Sequence, residues 1–147
     1  MSLRAAEYQS HSHGSPVDYV ELTYDARFLR RKVLTTKTGQ SLLVDLPQTT
    51  SLDQGGVLHL DTGEEIGILA APEPLLEVRS GTLTPLAWHI GNRHTPCQIE
   101  EGRLLIQRDH VIQDMLERLG ATLREVREPF TPEGGAYGHG RTHGHSH

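Results

Sequence analysis

Four histidines, His139, His143, His145 and His147, fall within the last nine residues of a 147-residue chain, three of them at alternate positions. Neutral imidazole is a good ligand for zinc, copper and nickel. Gly140 and Gly144 between them lower the strain of wrapping a segment round one ion. An expression tag would be an uninterrupted run, whereas this one is broken by Gly, Arg, Thr and Ser. The composition therefore reads as a metal-binding tail. His11 and His13 repeat the His-x-His spacing near the other end, with only two ligands. Against ten histidines stands one cysteine, Cys97, which excludes an internal disulfide framework and any multi-cysteine zinc motif.

Four other histidines sit in informative places. His94 follows Trp88-His89-Ile90-Gly91-Asn92-Arg93 and precedes Thr95-Pro96. A tight loop held between Gly-Asn and Pro positions a side chain, as a ligand requires. The alternative is a histidine favoured by the helix dipole at a C-terminus. A single imidazole makes a poor site unless a twofold axis supplies its mate. His110 opens a helix, where neither the dipole nor the apolar pattern favours it, so it reads as exposed and as an auxiliary ligand. His59 alternates with Leu58 and Leu60 and reads as a solvated strand position. His89, beside Trp88, reads as packing. Cys97 reads as a small apolar residue at a strand start.

Catalysis finds little support. Nucleophile elbow, Gly-rich phosphate loop and His-Glu-x-x-His are all missing from the sequence. A metallohydrolase would need a carboxylate base beside an ordered metal with an open water, and no carboxylate is placed for it. Arg27, Arg30, Arg31 and Lys32, interleaved with Phe28 and Leu29, could dock an acidic partner or simply form a solvated face. With 14 basic and 19 acidic residues the net charge is −5, which argues against a nucleic-acid binder. No apolar run approaches the roughly 18–20 residues of a membrane helix. The first 14 residues lack the apolar centre of a secretory signal. The expectation is a small cytoplasmic protein.

The elements that must position these residues follow from period and punctuation. Residues 1–16 show no period and read as a flexible arm. From 17 to 72, short apolar runs such as Leu42–Leu46, Val57–Leu60 and Ile66–Leu69 alternate with turn signals, which predicts an all-β domain with hairpins at Gly39 and Gly63. Pro72-Glu73-Pro74 marks a junction. In 73–137 the pattern predicts a strand at Leu75–Val78. A helix over Ser80–Ile90 follows, capped by Ser80 or Thr82 and ended by Gly91-Asn92 in the left-handed conformation. Strands at 97–99 and 103–106 come next, then a helix from His110 to Leu119 capped by Asp109 and stopped by Gly120, and a last strand at 123–126. That order is β-α-β-β-α-β, the ferredoxin-like unit. Residues 138–147 form the His-rich tail, too poor in apolar residues to fold alone. Domains of about 55–60 residues bury marginal cores, and dimerisation is a common remedy.

Several of these segments together resemble the UreE family of urease accessory proteins, which are nickel metallochaperones. The resemblance is carried by Gly91-Asn92-Arg93-His94-x-Pro96 after Trp88-His89, and by Asp109-His110-Val111-x-x-Asp114-Met115-Leu116. Pro129-Phe130-x-Pro132-Glu133-x-Gly135-Ala136-Tyr137 and the His-rich tail look like the family's C-terminal end. Leu22-Thr23-x-Asp25-x-Arg27, Arg30-Arg31 and Leu43-Val44-Asp45-Leu46-Pro47 are similar more loosely. The resemblance implies an α+β chain: an N-terminal all-β domain like the peptide-binding domain of the Hsp40 co-chaperones, then a ferredoxin-like βαββαβ domain that forms a homodimer. It also implies that His94 from two subunits shares one Ni(II), with His139, His143, His145 and His147 completing the sphere. The same imidazoles would take Zn(II) or Cu(II) in vitro. Some members carry a His-x-His pair near the second helix; here the first of the pair is Arg108 and only His110 remains. Asp53-Gln54-Gly55-Gly56 departs from the family's Asp-Gly-Asp turn, a difference expected to be structural only. The implied partners are the urease accessory GTPase UreG and the urease activation complex. Neutral imidazole being the ligand, affinity should fall as pH drops through roughly 6.5. A different class of function remains open: a peptide- or partner-binding scaffold whose tail only buffers metal.

Overall fold

A computed structural model describes residues 2–134. The chain divides between Ala71 and Pro72 into two compact units. The first is a six-stranded sheet of β1 (Leu3–Gln9), β2 (Asp18–Leu22), β3 (Phe28–Thr35), β4 (Ser41–Ser51), β5 (Val57–Leu60) and β6 (Glu65–Ala70), with a single 3₁₀ turn at Asp25–Arg27. The strand order is β2-β6-β5-β1-β4-β3. β1 runs parallel to β4 and β2 parallel to β6; the other neighbours are antiparallel. Hairpins turn at Gly39 and Gly63, where φ is +93° and +91°, values that glycine adopts without the Cβ clash of other residues. The core runs along one face through Ala5, Val20, Leu42, Val44, Leu58, Ile66 and Ile68.

The reading of residues 1–16 as an arm is corrected by this sheet. Leu3–Gln9 is a central strand, with Ala5 completely buried between Val44 and Leu60. Its alternation was hidden by a bulge between Ala5 and Glu7. Leu3 and Ala5 face the core on one parity and Tyr8 on the other, so the period of two is broken in mid-strand.

The second unit follows the ferredoxin-like order. Its elements are β7 (Pro72–Arg79), α1 (Leu83–Asn92), β8 (Gln98–Ile99), β9 (Leu104–Gln107), α2 (His110–Arg118) and β10 (Thr122–Pro129). The sheet is β10-β7-β9-β8, antiparallel throughout. Leu86 and Ile90 of α1 and Ile112 and Leu116 of α2 share a core with Leu76, Val78, Leu104 and Ile106 of the strands. Pro72 and Pro74 lie in β7 ahead of the Leu75–Val78 stretch that pairs with β9, where a missing N–H costs no ladder bond on that side.

α1 starts and ends later than single residues suggest, whereas α2 starts where its cap predicts and ends at Arg118. α1 begins at Leu83 because the Ser80 hydroxyl accepts from the Thr82 N–H and holds the chain in a turn; Thr82 occupies the cap position, its hydroxyl bonded to that of Ser80 and not to the helix. Asp109 caps α2 as its type predicts, accepting from the N–H groups of Val111 (2.9 Å) and Ile112 (3.3 Å).

Candidate metal site

α1 and α2 terminate in the same hydrogen-bond pattern. In α2 the Gly120 N–H donates to Glu117 O (3.0 Å) and the Ala121 N–H to Leu116 O (3.0 Å), with Gly120 at φ +87°. This is the Schellman closure, which needs one residue in the left-handed region. In α1 the His94 N–H donates to Gly91 O (2.9 Å) and the Thr95 N–H to Ile90 O (3.3 Å). The left-handed residue there is His94, at φ +57°, the one non-glycine with positive φ among the described residues. The sequence expectation placed that conformation at Gly91-Asn92. Those two residues instead complete the helix, and the turn closes two residues later.

A non-glycine in this region costs roughly 1–2 kcal/mol. In return the backbone of His94 is pinned by the cap, and its side chain stands exposed at the end of α1. The helix C-terminus carries partial negative charge, which favours a cation nearby. The preceding Arg93 donates from Nε to Met115 Sδ (3.1 Å), tying the end of α1 to α2.

His110 is exposed at the first position of α2. It lines an open groove of about 550 Å³ with Arg93, Asp114, Met115 and Arg118. The groove thus joins His110 to the residue before His94. Arg108 is held to the sheet, donating to Leu75 O and Val126 O (3.2 Å each) and pairing with Glu125. Its side chain pins the entry to α2.

Cys97 belongs to the core between sheet and helices. Burial, with a smaller push from the charge of Glu133, raises its thiol to about 11. A neutral, buried thiol is a packing residue and a poor ligand. Its carbonyl accepts from the Glu133 N–H (2.9 Å), and Gln98 Oε1 accepts from the Thr131 N–H (2.8 Å). The chain that leads to the tail is therefore anchored three residues beyond His94. His139, His143, His145 and His147 lie outside the described residues. Among the described residues no three His, Cys, Asp or Glu side chains form a metal-holding group.

The remaining candidates resolve differently. His89 is half-buried against Trp88, rings edge to face with centroids 5.1 Å apart. Arg27 is buried and donates to Leu52 O and Leu22 O, a structural use of one member of the basic cluster. Arg4, Arg30 and Arg31 surround Asp45 on the sheet surface. His59 is not a solvated position: its Nε2 is buried and lies 3.9 Å from Glu65 Oε2.

Comparison with known proteins bears on both units. Residues 2–71 match the family model described as "UreE urease accessory protein, N-terminal domain", and residues 73–147 match its C-terminal counterpart. The chain is 70% identical over 142 residues to a protein named urease accessory protein UreE from a Ruegeria species, covering 96% of this chain and 81% of that one. The same name belongs to a Ruegeria pomeroyi protein 69% identical over 130 residues, covering 88% and 87%. It belongs also to one from Agrobacterium fabrum, 46% identical over 153 residues, covering 99% and 92%.

Proposed function

We propose, from the premise that the chain belongs to the UreE family of urease accessory proteins, that it carries Ni(II) to the assembling urease active site as a homodimer. The family is one of accessory chaperones and not of catalysts. In this reading nickel is cargo. His94 from each of two subunits holds one ion between them, and the tail histidines complete its coordination and load it. His110 serves as an auxiliary ligand at the groove. The ion passes to the GTPase UreG within the urease activation complex, in the cytoplasm. No helix among the described residues is long and apolar enough to cross a membrane.

The observation that carries this reading is the left-handed seat of His94. An exposed imidazole on a pinned backbone sits where glycine would be easier, and among the described residues no group of three His, Cys, Asp or Glu includes it. Chain length supports the role of the tail. From the anchored Glu133 to His139 is six residues, a reach of up to about 20 Å, while His94 is only three residues from the other end of that anchor. Tethering raises the local concentration of tail imidazoles at His94 without any fixed contact. A site finished by tethered ligands exchanges its ion readily, and affinity of micromolar order suits a carrier that must let go.

Nickel titration calorimetry with light-scattering mass tests the reading on three proteins: the full chain, a chain ending at Tyr137, and His94→Ala. The expected result is a dimer throughout, with about one nickel per dimer kept by the shortened chain and lost in His94→Ala. If His94→Ala binds like the parent and the shortened chain binds nothing, the scaffold with a metal-buffering tail is the better account. Zn(II) and Cu(II) are expected to compete in vitro, since imidazole donors do not by themselves select nickel.

A further inference from the structure

A second cluster of metal-ligating side chains lies in the N-terminal unit, away from anything the family reading uses. Strand register aligns Glu7 of β1, His59 of β5 and Glu65 of β6 in one row across the sheet. Gln9, two residues from Glu7, is on the same face of β1. The loop between β1 and β2 closes over the end of that row. The Ser12 hydroxyl donates to Glu65 Oε1 (2.6 Å), and the His13 N–H approaches Oε2 (3.4 Å). His11 and His13 stack edge to face, centroids 5.0 Å apart.

Two features of this cluster are unexplained by the fold. Glu65 is a buried carboxylate, 8% exposed. The only two side-chain nitrogen or oxygen atoms that are buried without a hydrogen bond among the described residues are His59 Nε2 and Gln9 Oε1, both on this face. Orphaned buried polar atoms are rare and call for a partner. An imidazole nitrogen, an amide oxygen and a carboxylate oxygen share one chemistry, lone pairs offered to a cation. Ser12 fixes Glu65 Oε1, and Oε2, which accepts only the long bond from the His13 N–H, faces His59 Nε2 at 3.9 Å, too far for a hydrogen bond. That is how an outer partner orients a ligating carboxylate.

We propose that His59 and Glu65, joined by His13 from the overlying loop, form a second site for a borderline divalent cation of the zinc–nickel class. Three protein donors, two imidazoles and one carboxylate, leave coordination positions for water or for Gln9 Oε1. No three donors stand together beforehand, so binding draws the His13 ring round onto Glu65. His11 is the alternative loop ligand, two residues away. The site is independent of His94 and stands or falls separately from the nickel-carrier reading.

The test uses a full-length reference variant carrying His94→Ala, His110→Ala, His139→Ala, His143→Ala, His145→Ala and His147→Ala, titrated with Zn(II) alone and then Ni(II) alone. The expected result is about one ion per chain, with affinity reduced at least about tenfold by Glu65→Gln and by the pair His11→Ala with His13→Ala. Because the loop pair lies outside the strands and alanine keeps the His13 N–H that reaches Glu65, it decides the matter even if Glu65→Gln fails to fold, which a far-UV circular dichroism melt would show. A reference variant that takes up no ion overturns the proposal and leaves the orphaned atoms to water. So does an ion whose affinity is unchanged by the loop pair. Loss of nickel on His94→Ala in the otherwise native chain would concern only the other site.

Discussion

Replacing His94 by glycine should make the C-terminal unit more stable while removing the metal site proposed for it. The reasoning rests on the two helix ends, which close by the same pair of hydrogen bonds around Gly120 in α2 and around His94 in α1. An L-residue held at φ +57° costs roughly 1–2 kcal/mol relative to its relaxed conformation. Glycine escapes that cost but loses more entropy on folding, about 0.5–1 kcal/mol. The net expectation for His94→Gly is a gain of about 0.5–1 kcal/mol. For a unit of this size that corresponds to a rise in Tm of about 2–8 °C. His94→Ala keeps the strained seat and so should lie below His94→Gly by a similar margin. Urea and thermal denaturation of the metal-free proteins measure the stabilities, and nickel calorimetry measures the site. Both variants should lose the nickel bound at the helix end. If His94→Gly is no more stable than His94→Ala, the seat is unstrained and the argument from it fails. If His94→Gly keeps the nickel of the parent, the imidazole is not the ligand.

Gly120→Ala supplies the reverse experiment: a Cβ there meets nothing within 4 Å, so the expected loss of about 1 kcal/mol in urea denaturation is backbone strain alone. Asp109→Ala should cost about 1 kcal/mol through the lost cap of α2, and Asp109→Asn should restore most of it in the same assay. Arg103, bonded to Glu77 (2.9 Å), Glu100 (2.9 Å) and Glu128 (2.6 Å), should cost about 3 kcal/mol when changed to Leu, because Glu77 remains buried with its charge less compensated. Hydrogen bonds from Arg79 and then Arg103 hold the Glu77 carboxyl at about 2 against an ordinary 4.5; a depressed carboxylate stabilises the fold above pH 4.5 and loses that contribution as pH falls toward 2, so denaturation midpoints should drop across this window and drop less steeply in Arg103→Leu. Cys97 should react slowly with a thiol reagent at pH 8 in the native protein and fast in urea, and Cys97→Ser should leave nickel stoichiometry unchanged; rapid labelling of the folded chain would contradict its placement in the core.

The C-terminal unit was legible because its signals are local. The 3-4-7 spacing of Leu83, Leu86, Ala87 and Ile90, the Asp109 cap and the Gly120 stop each act within one or two turns, and the strands between them alternate or run apolar. The N-terminal unit was legible only in outline. Hairpins at Gly39 and Gly63 announce themselves by residue type, but β1 does not. Its central position is set by pairing with β4 and β5, some 40 to 55 residues away, and its bulge erases the alternation that would have marked it. The same distance hides the cover that the 10–16 loop lays over His59 and Glu65, some 50 residues away from Glu65. Leu58-His59-Leu60 says only that His59 points away from the core, and nothing nearby says that the 10–16 loop covers that face.

His94 shows a subtler limit. Gly91-Asn92 is the pair that residue type nominates for a left-handed turn, and the chain passes both by to put a histidine there. Local propensity would have been satisfied by ending the helix two residues earlier, or by exchanging the positions of glycine and histidine. A ligand gains something from the strained arrangement that either alternative would forfeit. On the helix itself the imidazole would be one side chain on a continuous surface. In a loose loop it would have to be ordered at each binding event. At the Schellman seat its Cα is fixed by two main-chain hydrogen bonds at a cation-favouring helix end, and the segment carrying the remaining histidines is tied down at Cys97, three residues on. One imidazole thus stands on a fixed backbone and its proposed co-ligands are tethered. That asymmetry suits an ion that is captured by the tail, held at the helix end, and released when the tail is drawn away.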